Sequence, residues 1–181
     1  MKFIALLLLV LAVTHVQAQE TALPDAHHTG KSAPASGNEP HDVGPPDAVA
    51  QLRKLAAAYN QAMVKKDAAT LLSFYYDKNV PVMGSVAPAS FARMTAATNG
   101  KAPRVFPNSA DKQSVADTAA QTTPEKVSHL TVHTDGTVAV IEYDYEIPQG
   151  YGHTYWTLVD TKDAWKITSV AYSMNMKPAA K

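Results

Sequence analysis

The stretch from Thr137 to Ser173 constrains the fold of this chain more than any other, because three β-type runs follow one another there with only short turns between them. TVAVIEYDYEI, YGHTYWTLVD and AWKITSVAYS each approach the alternation of inward and outward residues that a half-buried strand requires. Pro148-Gln149-Gly150 and Thr161-Lys162-Asp163 supply the turns, so three consecutive antiparallel strands are expected. A fourth run, KVSHLTVHT from Lys126, joins the first through Asp135-Gly136, a two-residue turn suited to positive φ.

The period of two also sorts these strands by face. Ala139, Ile141, Tyr143, Tyr145 and Ile147 are expected to face a core, with Glu142, Asp144 and Glu146 on the other side. On the next run Thr154, Trp156 and Leu158 oppose His153, Tyr155, Thr157 and Val159. On the last, Trp165, Ile167, Ser169 and Ala171 oppose Lys166, Thr168, Val170 and Tyr172. Apolar groups fall on both sides of these two strands, so the outer sheet face is an expected homodimer surface.

Upstream, Pro45-Pro46 and Asp47, read as an N-cap, open a helix with Leu52, Ala56, Tyr59 and Met63 in one stripe. Lys65 and Lys66 close it, and Asp67 caps a second helix, AATLLSFYY, whose stripe is Leu71, Leu72 and Tyr75. NVPVMGS then reads as a short strand, and its Pro81 predicts an edge position. Phe91, Met94 and Ala97 predict a short helix ending near Asn99-Gly100. The rest of the stretch to Pro124 has few apolar residues and is expected to be a mobile surface insertion or a lid over a pocket.

The first residues read as an address. Lys2 precedes an apolar run from Phe3 to Val13, too short for the roughly 30 Å of a hydrocarbon core, and Val16-Gln17-Ala18 puts small residues where a signal peptidase cuts. A signal of residues 1–18 implies an exported product, periplasmic or secreted, with no membrane attachment after cleavage. Residues 19–46 are rich in Ala, Pro, Gly and Ser and read as a disordered tether. Its His27, His28 and His41 have no fixed geometry with which to hold a metal. The remaining domain spans 47–176 and a short tail 177–181. Equal numbers of basic and acidic residues, 16 of each, argue against nucleic acid, and the absence of Cys excludes disulfides and thiol chemistry.

AYNQAMVKKDAATLLSFYYDKNVPVMGS, DGTVAVIEYDYEI, WTLVDTKDAWKITSV and AYS together resemble the nuclear transport factor 2-like superfamily, the cystatin-like cone that includes SnoaL-like and ketosteroid-isomerase-like proteins. The resemblance covers most of residues 47–175 and is weakest between 85 and 124. It implies an α+β domain in which N-terminal helices pack in the concave face of a curved antiparallel sheet, enclosing a conical cavity. In the steroid isomerase branch a tyrosine of the first helix helps to polarise a carbonyl, and a carboxylate on the first strand moves the proton. Alignment on Asp67 places Tyr59 at the tyrosine and Met83 at the carboxylate, and a thioether cannot accept a proton.

The resemblance therefore implies binding of a small apolar or aromatic molecule without a cofactor, in a pocket of Tyr59, Met83, Tyr143, Tyr145, Trp156 and Trp165. Taken singly, each of these side chains is better accounted for by ordinary core packing; together they suggest an aromatic pocket. An isomerase, cyclase or hydrolase is the alternative, with Asp144 and His153 on adjacent strands as the candidate acid-base dyad, and a protein-interaction module is a third. His129 and His133, four apart on a strand, stand about 13 Å from each other and cannot share a metal ion. No Gly-rich phosphate loop, nucleophile elbow or zinc-binding helix pair is present.

Overall fold

The computed structural model describes residues 41–177; the expected signal, the tether before His41 and the last four residues lie outside them. Helix α1, Pro46–Val64, buries Leu52, Ala56, Tyr59, Ala62 and Met63, the stripe that the 3.6-residue period predicts. Lys66 closes it in the left-handed region at φ 59°, turning the chain into α2, Ala68–Ser73. Asp67 caps α2 as expected, its Oδ1 accepting from the Thr70 amide at 2.9 Å. Asp47 does not cap α1. It is the second helical residue, because Pro46 needs no amide partner and opens the helix itself.

The strands are β1 Pro81–Val86, β2 Val105–Ser109, β3 Lys126–Thr134, β4 Val138–Ile147, β5 Gly150–Asp160 and β6 Trp165–Met176. They form one curved sheet in the order β2-β1-β6-β5-β4-β3. The last four match the four expected runs. β1, however, is an interior strand, antiparallel to β2 and parallel to β6, so the sheet is mixed rather than wholly antiparallel. Pro81 is tolerated because it is the first residue of its strand, and β2, with Pro107, takes the edge instead.

The stretch read as a lid or mobile insertion is structured. After α3, Pro88–Ala97, come β2 and a further helix, α4, Ala110–Ala120. The expected loop hid a helix because α4 buries small and polar residues: Ala110, Ser114 and Thr118. Both hydroxyls are satisfied along the helix itself, Ser114 donating to the Ala110 carbonyl and Thr118 to that of Ser114.

A bulge in β6 corrects the face assignment made from strict alternation. Thr157 pairs with Ser169 but Leu158 with Ile167, so Thr168 is the extra residue and parity flips after it. Trp165 and Ile167 face the core, and so do Val170 and Tyr172, while Ala171 is exposed. The Tyr172 ring lies over Gly84 of β1, where an added Cβ would come within 2.5 Å of it. Leu52, Leu71, Ile141, Leu158 and Ile167 are almost wholly buried in the core, each contributing about 1.5–3 kcal/mol by removal from water. The outer face carries exposed Val138, Val140, Tyr151 and Tyr155.

The chain joins the domain before residue 47. Val43 bridges to the free edge of β3, donating to the Val132 carbonyl at 2.9 Å and accepting from the Thr134 amide at 2.8 Å. Asp42 accepts from the Val132 amide and from both Nε and Nη2 of Arg53, which holds its carboxyl below the usual range. This strap covers an edge that would otherwise offer unpaired backbone groups. Gly44 makes it fit: φ is 138°, and a Cβ would sit 2.3 Å from the Thr134 carbonyl oxygen. Gly44→Ala is expected to cost about 1–3 kcal/mol. Hydrogen exchange would show it as faster exchange of the Val43 and Thr134 amides, with the centre of β4 still protected.

Candidate functional site

A cavity of about 700 Å³ opens between α1 and the chain entering β3. Arg53, Ala57, Asn60 and Gln61 of α1 form one wall, Pro124, Glu125, Val127 and Leu130 the other, and Tyr143 of β4 lies between them. Asn60 fixes Glu125 by a two-point clamp, its Nδ2 donating to the Glu125 carbonyl and its Oδ1 accepting from the Glu125 amide, each at 3.1 Å. The carboxyl is thus attached to backbone that cannot drift from the helix.

Of the six residues proposed from sequence, Tyr143 lines this cavity. Tyr59 lies behind it in the core, its ring 4.8 Å from that of Trp156 and its hydroxyl 2.8 Å from that of Tyr75. Trp156 also meets Tyr143 edge-on, with ring centres 5.5 Å apart. Tyr145 donates to the Ser173 carbonyl at 2.9 Å. Trp165 is buried at the start of β6, where it pairs with Asp160 at the end of β5.

Met83 is the clear correction. It is 42 % exposed on the outer face, because Val82, Gly84 and Val86 take the inward positions of β1. No carboxylate stands at an inward position of this strand, so no strand base of the isomerase type is present there.

Asp144 and His153 do pair, as cross-strand neighbours, with His153 Nδ1 2.7 Å from Asp144 Oδ1. His129, turned outward at φ 52° in a bulge of β3, gives the same carboxylate a second imidazole at 2.8 Å. The two rings hold the Asp144 carboxyl below its usual range, His153 contributing most. The group faces outward, with the Asp144 side chain 46 % exposed, and is separated from the cavity by the sheet. Among the described residues no cluster of three or more His, Asp or Glu side chains is placed to hold a metal ion.

Two half-buried carboxyls were missed by sequence reasoning, Glu125, which lines the cavity, and Asp117 of α4. Asp117 is positioned by a relay: Asn108 of β2 donates to Gln113, and Gln113 Nε2 donates to Asp117 Oδ1 at 2.6 Å, one helical turn along α4. Lys66 fastens the end of that helix, its ammonium donating to the Thr118 and Gln121 carbonyls. Burial pushes the Asp117 carboxyl up to about 6. Burial, then the charge of Asp117, pushes Glu125 up to about 7. Burial is also the main reason that Tyr59, Tyr75, Tyr143, Tyr145 and Tyr172 are all raised, and the charge of Asp117 adds to each. One sequence signal for α4 existed: no Pro or Gly falls between Asn108 and Thr123, and small residues recur there every fourth position.

No family model matches the sequence, and no curated protein matches it. Similarity appears in solved structures. A nuclear transport factor 2-like protein of unknown function from Silicibacter pomeroyi is 18 % identical, with TM-score 0.53, over 71 % of this chain and 97 % of that one. Another from Shewanella baltica is 15 % identical, with TM-score 0.52, over 72 % and 94 %. A candidate scytalone dehydratase from Novosphingobium aromaticivorans is 16 % identical, with TM-score 0.51, over 73 % and 87 %. The chain has the nuclear transport factor 2-like, cystatin-like fold, and at these identities the likeness concerns the fold alone.

The raised carboxyls fix the sign of a pH effect. The folded state keeps protons on Asp117 and Glu125 that the unfolded chain loses near pH 4, so their contribution to stability is full below about pH 4 and is lost as pH rises through about 6 and about 7. The double variant Asp117→Asn, Glu125→Gln removes that loss. Relative to the parent it is expected to gain on the order of 1–2 kcal/mol between about pH 4 and about pH 8 in denaturant titrations.

Proposed function

We propose that this chain is an exported protein that binds a small, largely apolar molecule in the cavity between α1 and β3. The observation that carries this reading is an apolar cleft of about 700 Å³ with a few polar groups, Asn60, Glu125 and Tyr143, converging on it. That volume and that mixture suit a small organic ligand: the apolar walls supply affinity and the polar groups orient it. Export rests on Lys2, the apolar run and the small residues at Val16 and Ala18.

A second reading, an isomerase or dehydratase, draws on Glu125. A carboxyl pushed up to about 7 can both give and take a proton at neutral pH, which general acid-base catalysis requires. Similarity of fold to a candidate scytalone dehydratase is compatible with this reading but does not establish it.

Native mass spectrometry of the protein isolated from its own compartment, with and without Ala57→Trp, tests the binding reading. A retained small molecule lost in the variant, whose indole fills the cleft, is the expected result. Equal retention by both proteins, or none by either, would overturn it.

A further inference from the structure

We propose that the strap of Asp42 and Val43 is an autoinhibitory contact: the Asp42 carboxylate occupies Arg53 in the place of a ligand, and an apolar molecule ending in a carboxylate exchanges with it and releases the strap. The inference rests on the binding reading above and adds the ligand's class and its control.

The first observation is the clasp. Arg53 donates to Asp42 through Nε at 2.7 Å and through Nη2 at 2.9 Å, a fork that fits the two oxygens of one carboxylate. Nη2 also donates to the Leu130 carbonyl at 3.0 Å, which keeps the guanidinium in direction when the carboxylate changes. Arg53 and Leu130 both line the cavity, so the guanidinium stands where cavity and strap meet. The pair is open to water, with side-chain exposures of 46 % for Arg53 and 24 % for Asp42. A second carboxylate can therefore reach it, and an ion pair this exposed is readily exchanged.

The second observation is how lightly the strap is held. Val43 makes two backbone bonds to the β3 edge, and its side chain is exposed. Gly44 has no side chain to pack. Asp42 supplies the rest, its Oδ1 accepting from the Val132 amide as well as from Arg53. Taking Arg53 from Asp42 thus removes the ion pair that fixes the strap to α1.

The cavity supplies the remainder of the ligand's chemistry. From Arg53 the α1 wall runs over Ala56 and Ala57 to Asn60, seven residues on and about 10 Å along the helix axis. A carboxylate at the Arg53 end leaves its apolar body along this wall, and Glu125 stands at the far end, beside Asn60. Lys65, the other basic residue of α1's end that lines the cavity, is about 18 Å from Arg53 along the helix, so substitution of Arg53 distinguishes the two cations. Strap docking and carboxylate binding compete for one guanidinium, and each must weaken the other by the same factor.

The test measures, by calorimetry, binding of 3-phenylpropanoate and of its uncharged counterpart 3-phenylpropan-1-ol to the whole protein. At about pH 6 the probe is ionised and Glu125 largely keeps its proton. Asp42→Asn loosens the strap at the clasp, and Gly44→Ala loosens it at the backbone with the Asp42 charge intact. Each is expected to bind the carboxylate at least about fivefold tighter than the parent, with the alcohol's affinity unchanged within about twofold. Arg53→Gln, checked for folding by circular dichroism, is expected to lose the preference for the carboxylate. In the parent, saturation with the carboxylate is expected to speed hydrogen exchange of the Val43 and Thr134 amides at least about fivefold, with the centre of β4 unchanged. Carboxylate affinity unchanged in either loosened variant, an alcohol affinity that rises with it, a preference that survives Arg53→Gln, or strap amides that do not respond overturns the strap inference and leaves the cavity reading standing. Binding of neither probe by any of these proteins also overturns the strap inference, and the Ala57→Trp comparison then decides the cavity reading separately.

Discussion

Tyr59 is the contact through which the helical layer and the sheet are joined. Its ring meets Trp156 of β5 on one side and Phe74 and Tyr75, just after α2, on the other, and its hydroxyl bonds that of Tyr75. A large aromatic in this position buries much apolar area while keeping its one polar atom satisfied, which an aliphatic residue could not do for Tyr75. The stripe on α1, the turn at Lys66 and the inward face of β5 are all aligned by it. The cleft next to it exists because the chain entering β3 stands away from α1, tied to it by Asn60 and Glu125 rather than by apolar packing.

The same architecture explains why the interior is not purely apolar. The β1-α3-β2-α4 segment returns a polar helix to the cone, and α4 brings Asp117 with it. Its small buried residues let the helix approach closely, and the Asn108-Gln113-Asp117 relay fixes the direction of the carboxyl. An acid held this way lowers stability at neutral pH, a cost that functional sites commonly carry. On the opposite face the paired imidazoles and Asp144 show the contrasting case, a carboxylate stabilised by its neighbours and open to water.

Most of the sheet was legible because its signals are local. The inward series Ala139, Ile141, Tyr143 and Tyr145 depends only on spacing along one strand, and the turn at Asp135-Gly136 was found in place but is longer than the two residues expected, since Thr134 pairs with Ala139. Errors arose where a local rule was overridden at a distance. Pro81 read as an edge marker, yet β2, from a segment without strong apolar pattern, covers that side of β1. Thr168 broke the parity of β6, and no composition rule announces a bulge. For the site, Tyr143 was legible as an inward aromatic, whereas Met83 lies on the outward side of β1, where its neighbours Val82 and Gly84 take the inward positions.

By itself the sequence determined the α+β class, the four consecutive strands, the α1 stripe and the cap at Asp67, since each follows from periodicity or from groups a few residues apart. Only the tertiary structure decided which carboxyls enter the cone. Asp117 and Glu125 come from a helix and a loop with weak apolar patterns, and their altered acidity arises from burial, to which the charge of Asp117 adds at Glu125. Burial and proximity are properties of the assembled core, and no spacing along the chain encodes them.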